Sequence, residues 1–234
     1  MQLVKEKWTK ADIEEYYESQ KSLIGSDKDR EFEKKIVNTR LFCYGKTSFK
    51  AKEWAKFIKK GNYLSFLDGV KIKTHFDSIV CAYLISEIKE FSEYEKRLNA
   101  FVVTIDNWAS CDTLKFVKQD KEQLYFLAKR YLKSDETFIR RVGLDIFFEL
   151  YKDKTYLERT FNAIDGLKNE REYYVNMCGA WLLSFCFIKY REETLYYIKN
   201  AKTNAFVINK GLSKINDSFR VSKEDKELLK GYRI

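Results

Sequence analysis

FIRRVGLDIFFELY at 138–151 and YVNMCGAWLLSFCF at 174–187 share an apolar pattern and bring their glycines, Gly143 and Gly179, into register at an offset of 36 residues. Within the first stretch, Ile139, Val142, Ile146, Phe147 and Leu150 recur at helical spacing, and little alternates as a strand would. A period of that length suits a helix pair as the repeating unit. One pair cannot bury its apolar face alone, so neighbours stack into a curved solenoid with a concave surface open to a partner. Chance similarity between two amphipathic helices is the alternative.

Outward from these helices the same spacing continues, as in Leu124, Leu127, Ala128 and Tyr131. The chain has no proline, where average usage would give about 12, so helices can run uninterrupted. Polar or glycine-containing breaks fall near SDKD (26–29), YGKT (44–47), KGN (60–62), KSDE (133–136), YKDK (151–154) and KNER (168–171). Their spacing predicts helices of about 12 to 18 residues. No stretch has the composition of a linker, and residues 1–234 are expected to form one domain.

Composition narrows the function classes. The 234 residues are 45% hydrophobic, enough for a substantial core. The longest apolar run, CGAWLLSFCFI at 178–188, is too short to span a bilayer, and MQLVKEKWTK at the start has no secretory hydrophobic region. The expectation is a cytoplasmic monomer without a membrane contact. The five cysteines, an odd number with no CxxC pair, read as reduced and mostly buried thiols. The one histidine, His75, cannot supply paired imidazole ligands, so no metal is expected and His75 reads as structural or solvent-facing. Neither GxxxxGK[ST] nor GxGxxG occurs, so no nucleotide cofactor is indicated.

The formal net charge of +9 is unevenly distributed. Residues 45–75 carry a net +6 and residues 199–234 a net +5, bracketing a centre, 76–198, of net −2. Such basic ends can grip phosphates on either side of a central chamber; the alternative is a pair of solvated, lysine-studded faces that touch nothing. Lys50, Lys52, Lys210, Lys214 and Arg220 are the phosphate-binding candidates within them.

The centre contains TIDNWASCD at 104–112. Asp106 or Asn107 can cap a helix, after which Trp108 and Asp112 share one face a turn apart. A packed indole beside a carboxylate that favours the helix dipole would explain the same spacing, and Trp181 can likewise be a core residue.

DNWASCD, the FIRRVG helix and the GAW helix together resemble the AlkD-like family of bacterial DNA alkylation repair glycosylases, which are built from HEAT-like repeats. The resemblance covers nearly the whole chain, with LFCYGKTSFKAKEWAKFI similar to the family's opening helix and NKGLSKINDSFRVSKEDKELL similar to its closing helices. It implies an all-α curved solenoid of HEAT-like antiparallel helix pairs (an α-α superhelix) with a concave DNA-binding face. It also implies a DNA N-glycosylase that excises positively charged purines, of the 3-methyladenine and 7-methylguanine type, from double-stranded DNA in base excision repair. By the same resemblance Asp112 falls on the catalytic carboxylate, Trp108 and Trp181 on the aromatics of the lesion site, and Arg141 on the arginine that contacts the DNA backbone. No cofactor is implied. The chain departs from the family pattern at Ala109, where members often carry an acid, and at Ser184 and Phe185, where active relatives commonly have an arginine and an acid. Some relatives keep the fold without excision, so a catalytically silent DNA-binding repeat protein is the second reading and a protein-binding scaffold the third.

Overall fold

Short polar side chains start most of the helices. Thr9, Ser26, Asn62, Thr74, Asn107, Asp120, Asn204 and Ser222 each stand one residue before a helix and accept a hydrogen bond from a backbone N–H of its first turn. Each such cap satisfies a donor that the helix itself leaves without a partner. The computed structural model describes residues 1–45 and 48–234, so the expected break at 44–47 lies partly outside the described residues.

Among the described residues the chain is all-α, with fourteen α-helices and no strand; the isolated pairing is a parallel bridge between Phe42 and Thr74. It divides into two compact units, residues 1–119 and 120–234. The first contains α1 (Lys10–Gln20), α2 (Asp27–Val37), α3 (Ser48–Ile58), α4 (Tyr63–Gly69), α5 (His75–Ile85), α6 (Phe91–Val102) and α7 (Trp108–Thr113). The second contains α8 (Lys121–Tyr131), α9 (Thr137–Leu150), α10 (Leu157–Asp165), α11 (Tyr173–Lys189), α12 (Arg191–Asn200), α13 (Ala205–Asp217) and α14 (Lys223–Leu228).

The 36-residue period is realised as a structural period. The pair α8/α9 begins at Lys121 and Thr137, and the pair α10/α11 begins at Leu157 and Tyr173. The second helices, α9, α11 and α13, lie side by side, and each first helix packs against them. The matched glycines sit where helices crowd. A Cβ on Gly143 would lie 3.1 Å from the Leu132 backbone nitrogen, just past the end of α8, and one on Gly179 would lie 2.4 Å from Leu167 Cδ1, just past the end of α10.

In the first unit α5 is central, packed on α3, α6 and α7, with every residue buried except Tyr83. Phe76, Ile79, Val80 and Leu84 join Trp8, Ile13, Tyr16 and Phe66 in one core cluster. Each such side chain, fully buried, stabilises the fold by about 1.5 to 3 kcal/mol relative to exposure.

Two expectations change. SDKD at 26–29 is a helix start rather than a break, because Ser26 accepts the Asp29 backbone N–H and the acids favour the positive end of the helix dipole. Most of the helices are also shorter than the expected length of about 12 to 18 residues; among the described residues α6, α9, α11 and α13 reach that range. The shortest, α7 and α14, have 6 residues, and α7 stops where Leu114 turns extended at ψ 142°. All five cysteines are buried and none is in a disulfide, in line with the expectation of reduced, mostly buried thiols. No helix among the described residues is long and apolar enough to cross a membrane.

Candidate functional site

In the first unit, TIDNWASCD folds as a capped single turn and a half. Asn107 is the cap, its side-chain oxygen taking the Ser110 backbone N–H at 2.9 Å, and Trp108 is the first residue of α7. Asp106, the other candidate cap, faces backward instead. It accepts from the Thr39 hydroxyl, from the Arg40 backbone N–H at 2.8 Å and from the Arg40 Nε at 3.3 Å. Burial works against its ionisation, but these bonds outweigh it and hold the carboxyl below its ordinary value.

The indole of Trp108 is anchored as well, its Nε1 donating to the Ile36 carbonyl at 3.0 Å in the last turn of α2. A bond of 2.7 Å between the hydroxyls of Ser78 and Ser110 ties α7 to α5 inside the core. So α7 is held at both flanks, while Trp108 and Asp112 remain only partly buried. The Asp112 carbonyl accepts from Lys115 Nζ at 3.1 Å. Ala109 offers only its carbonyl, taken by the Thr113 hydroxyl at 2.8 Å.

Lys115 also lines a cavity of about 370 Å³ with Lys52, Lys56, Lys59 and Lys118. Glu87, the acid of that wall, is bound by Lys59 at 2.6 Å and by Lys118; burial opposes its ionisation, yet the two ammonium groups hold its carboxyl below the ordinary range. Lys52 sits over the Tyr83 ring at 5.8 Å. Of these lysines only Lys52 was singled out from the sequence; the net charge of 45–75 marked the region, but Lys115 and Lys118 lie in the segment read as near-neutral. Lys50 is exposed and pairs with Glu53 at 3.0 Å.

In the second unit, Trp181 on α11 is partly buried in an aromatic group. Phe148 lies 4.8 Å from it and Phe185 5.6 Å, the latter edge-on. Tyr151 meets Phe185 at 6.2 Å, and the Arg220 guanidinium sits 5.4 Å from the Phe185 ring. Phe185 therefore extends the indole surface and supports a cation over it. Ser184 turns back to its own helix, donating to the Trp181 carbonyl at 2.7 Å. Lys210 is exposed and Lys214 partly exposed on α13.

Arg141 is buried. Its Nη1 donates to the Tyr174 carbonyl at 2.6 Å and its Nε lies 4.0 Å from the Asp145 carboxylate, which also receives the Cys178 thiol at 3.2 Å. The arginine thus joins α9 to α11 within the second unit. Its neighbour Arg140 grips Glu170 through two bonds of 2.8 and 3.2 Å.

His75 is neither isolated nor solvent-facing. It is 2% exposed, and its Nδ1 lies 3.1 Å from Glu33 Oε1. Cys43 completes a buried group in which one donor atom from each of Glu33, Cys43 and His75 lies within 4.8 Å of the others.

A family model described as DNA alkylation repair enzyme matches residues 44–215, a span that takes in every expected site residue except Arg220. Searches of curated proteins and of solved structures gave no match.

Proposed function

The chain belongs to the DNA alkylation repair enzyme family, and from that premise we propose that it is a DNA N-glycosylase that excises cationic alkylpurines from duplex DNA. A purine alkylated at N3 or N7 already carries the positive charge of a good leaving group. When the bond from the sugar C1′ to the purine nitrogen breaks, the electron pair neutralises the base and leaves oxocarbenium character on the deoxyribose. The Asp112 carboxylate stabilises that cation and orients a water for attack at C1′; the water's proton passes to the carboxylate or to solvent, leaving an abasic site. The indole faces of Trp108 and Trp181 attract the cationic base, each contributing about 0.5 to 2 kcal/mol.

The observation that carries this reading is α7 itself. Trp108 and Asp112 stand one turn apart on a helix tied at both flanks, and neither is sealed in the core. Phosphate binding falls to Lys50, Lys52, Lys210, Lys214 and Arg220. Arg141, bonded inside the second unit, contributes to phosphate binding by positioning α9 or by exchanging its Tyr174 carbonyl for a phosphate oxygen.

The second reading, DNA binding without excision, is supported by Ala109 and Phe185, which stand where relatives often carry ionisable side chains. Release of 3-methyladenine and 7-methylguanine from methylated duplex separates the two. The glycosylase reading expects release that falls about 100- to 1,000-fold in Asp112→Asn, with duplex binding retained. Binding without release by the unaltered chain establishes the second reading, and release unaffected by the substitution removes Asp112 from the catalytic role.

A further inference from the structure

We propose that Glu33, Cys43 and His75 form a binding site for a single divalent cation of the zinc class, separate from the alkylpurine chemistry. The three residues come from different elements, brought together by backbone pairing. The parallel bridge between Phe42 and Thr74, with the His75 N–H donating to the Phe42 carbonyl at 2.9 Å, sets Cys43 beside the first residue of α5. Glu33 reaches the same point from α2, held by the Gly45 backbone N–H at 2.6 Å. Glu33 is 7% exposed, Cys43 4% and His75 2%.

Donor chemistry selects the metal class. A thiolate, an imidazole and a carboxylate are the ligand types zinc takes, and the soft thiolate argues against magnesium or calcium. Tetrahedral zinc bonded to S, N and O sets its donors about 3.2 to 3.7 Å apart. The His75 and Glu33 atoms already stand at 3.1 Å and all three donors lie within 4.8 Å, so small side-chain adjustments close the site.

Charge balance points the same way. A thiolate and a carboxylate with a neutral imidazole carry two negative charges, which a divalent ion cancels inside the core. Binding releases one proton, Cys–SH plus the cation giving the metal thiolate and a proton to solvent. Water completes the fourth position. Glu33 and Cys43 precede the residues that match the family model, and His75 lies within them.

The test strips the full-length chain with a chelator and reloads it with zinc or cobalt(II). One equivalent is expected to bind, and cobalt is expected to give a near-ultraviolet thiolate-to-metal absorption that Cys43→Ser abolishes with at least about tenfold weaker binding. Failure of the unaltered chain to take up one equivalent overturns the proposal, as does an absorption that survives Cys43→Ser. Should that variant not fold, alkylation of the unaltered chain decides: zinc is expected to protect Cys43 selectively over Cys81 and Cys186. Equal alkylation of all three with and without zinc overturns the site. None of these readouts depends on DNA, so they are independent of the outcome of the excision assay.

Discussion

Asp106 shows how one residue type can serve two local roles that spacing alone does not separate. It and Asn107 both have side chains able to cap α7, yet Asn107 takes the cap and Asp106 fastens the turn after α2 through Thr39 and Arg40. Because those bonds favour the ionised carboxylate, its folded pKa lies below the ordinary value of about 3.9. The stabilisation is therefore complete above that ordinary value and is lost as pH falls through the depressed one. Asp106→Asn is expected to lower stability by about 1 to 2 kcal/mol at neutral pH. The difference should narrow as pH falls below about 4, read from urea midpoints across pH. A difference that persists unchanged in acid would show that packing, not charge, accounts for it. Trp108 and Asp112 were legible as a one-turn pair, since four-residue spacing on a helix is a local matter. The bond from Trp108 to the Ile36 carbonyl, across 72 positions, was not.

At the scale of elements, glycine has opposite consequences at different places in the repeat. Gly143 lies against the end of α8, with the Leu132 nitrogen and Tyr131 Cβ at 3.1 and 3.2 Å from where a Cβ would stand. Gly143→Val is expected to cost about 1 to 3 kcal/mol, because these atoms cannot withdraw without shifting the helix pair. Gly166, at the end of α10, has right-handed helical angles and nothing within 4 Å of that position. Gly166→Ala is expected to stabilise by about 0.4 to 1 kcal/mol by reducing the freedom of the unfolded chain. Chemical denaturation of both variants checks the pair of signs, and matching signs would refute the distinction. The shared glycine register pointed to the pair α8/α9 and its successor because crowding at a crossing excludes a side chain in each copy. It did not show that Arg141 would turn inward to the Tyr174 carbonyl, since a helix face names its neighbours only once the adjoining helix is in place.

For the whole molecule the governing property is the distribution of positive charge. The excess at 45–75 and at 199–234 is sufficient to neutralise several phosphates, each of which contributes about 0.9 to the slope of log affinity against log salt on duplex DNA. Replacing Lys52 and Lys210 together by alanine is expected to reduce that slope by about 2 while leaving sequence preference unchanged, measured by duplex titration over a salt series. An unaltered slope would mean these lysines are solvated and touch no phosphate. The cavity wall formed by Lys52, Lys56, Lys59, Lys115 and Lys118 was only half legible in advance. Its first three lysines lie in a basic segment, whereas Lys115 and Lys118 come from a stretch whose summed charge hides them.

The amino-acid sequence by itself determined which segments are helical, most of their starts, the repeat of α8/α9 in α10/α11 and the pairing of Trp108 with Asp112. Each of these depends on residues three or four apart, or on a period that recurs along the chain. Only the tertiary structure decided that Glu33, Cys43 and His75 meet, that Arg141 is enclosed and that Phe185 lies against Trp181 and Tyr151. His75 with its two partners, and Arg141 with Tyr174, depend on contacts between residues some thirty to forty positions apart, for which a helical period sets the face but not the partner. Phe185 is the reverse case: its spacing from Trp181 was readable, but its surroundings waited for α9 to pack against α11.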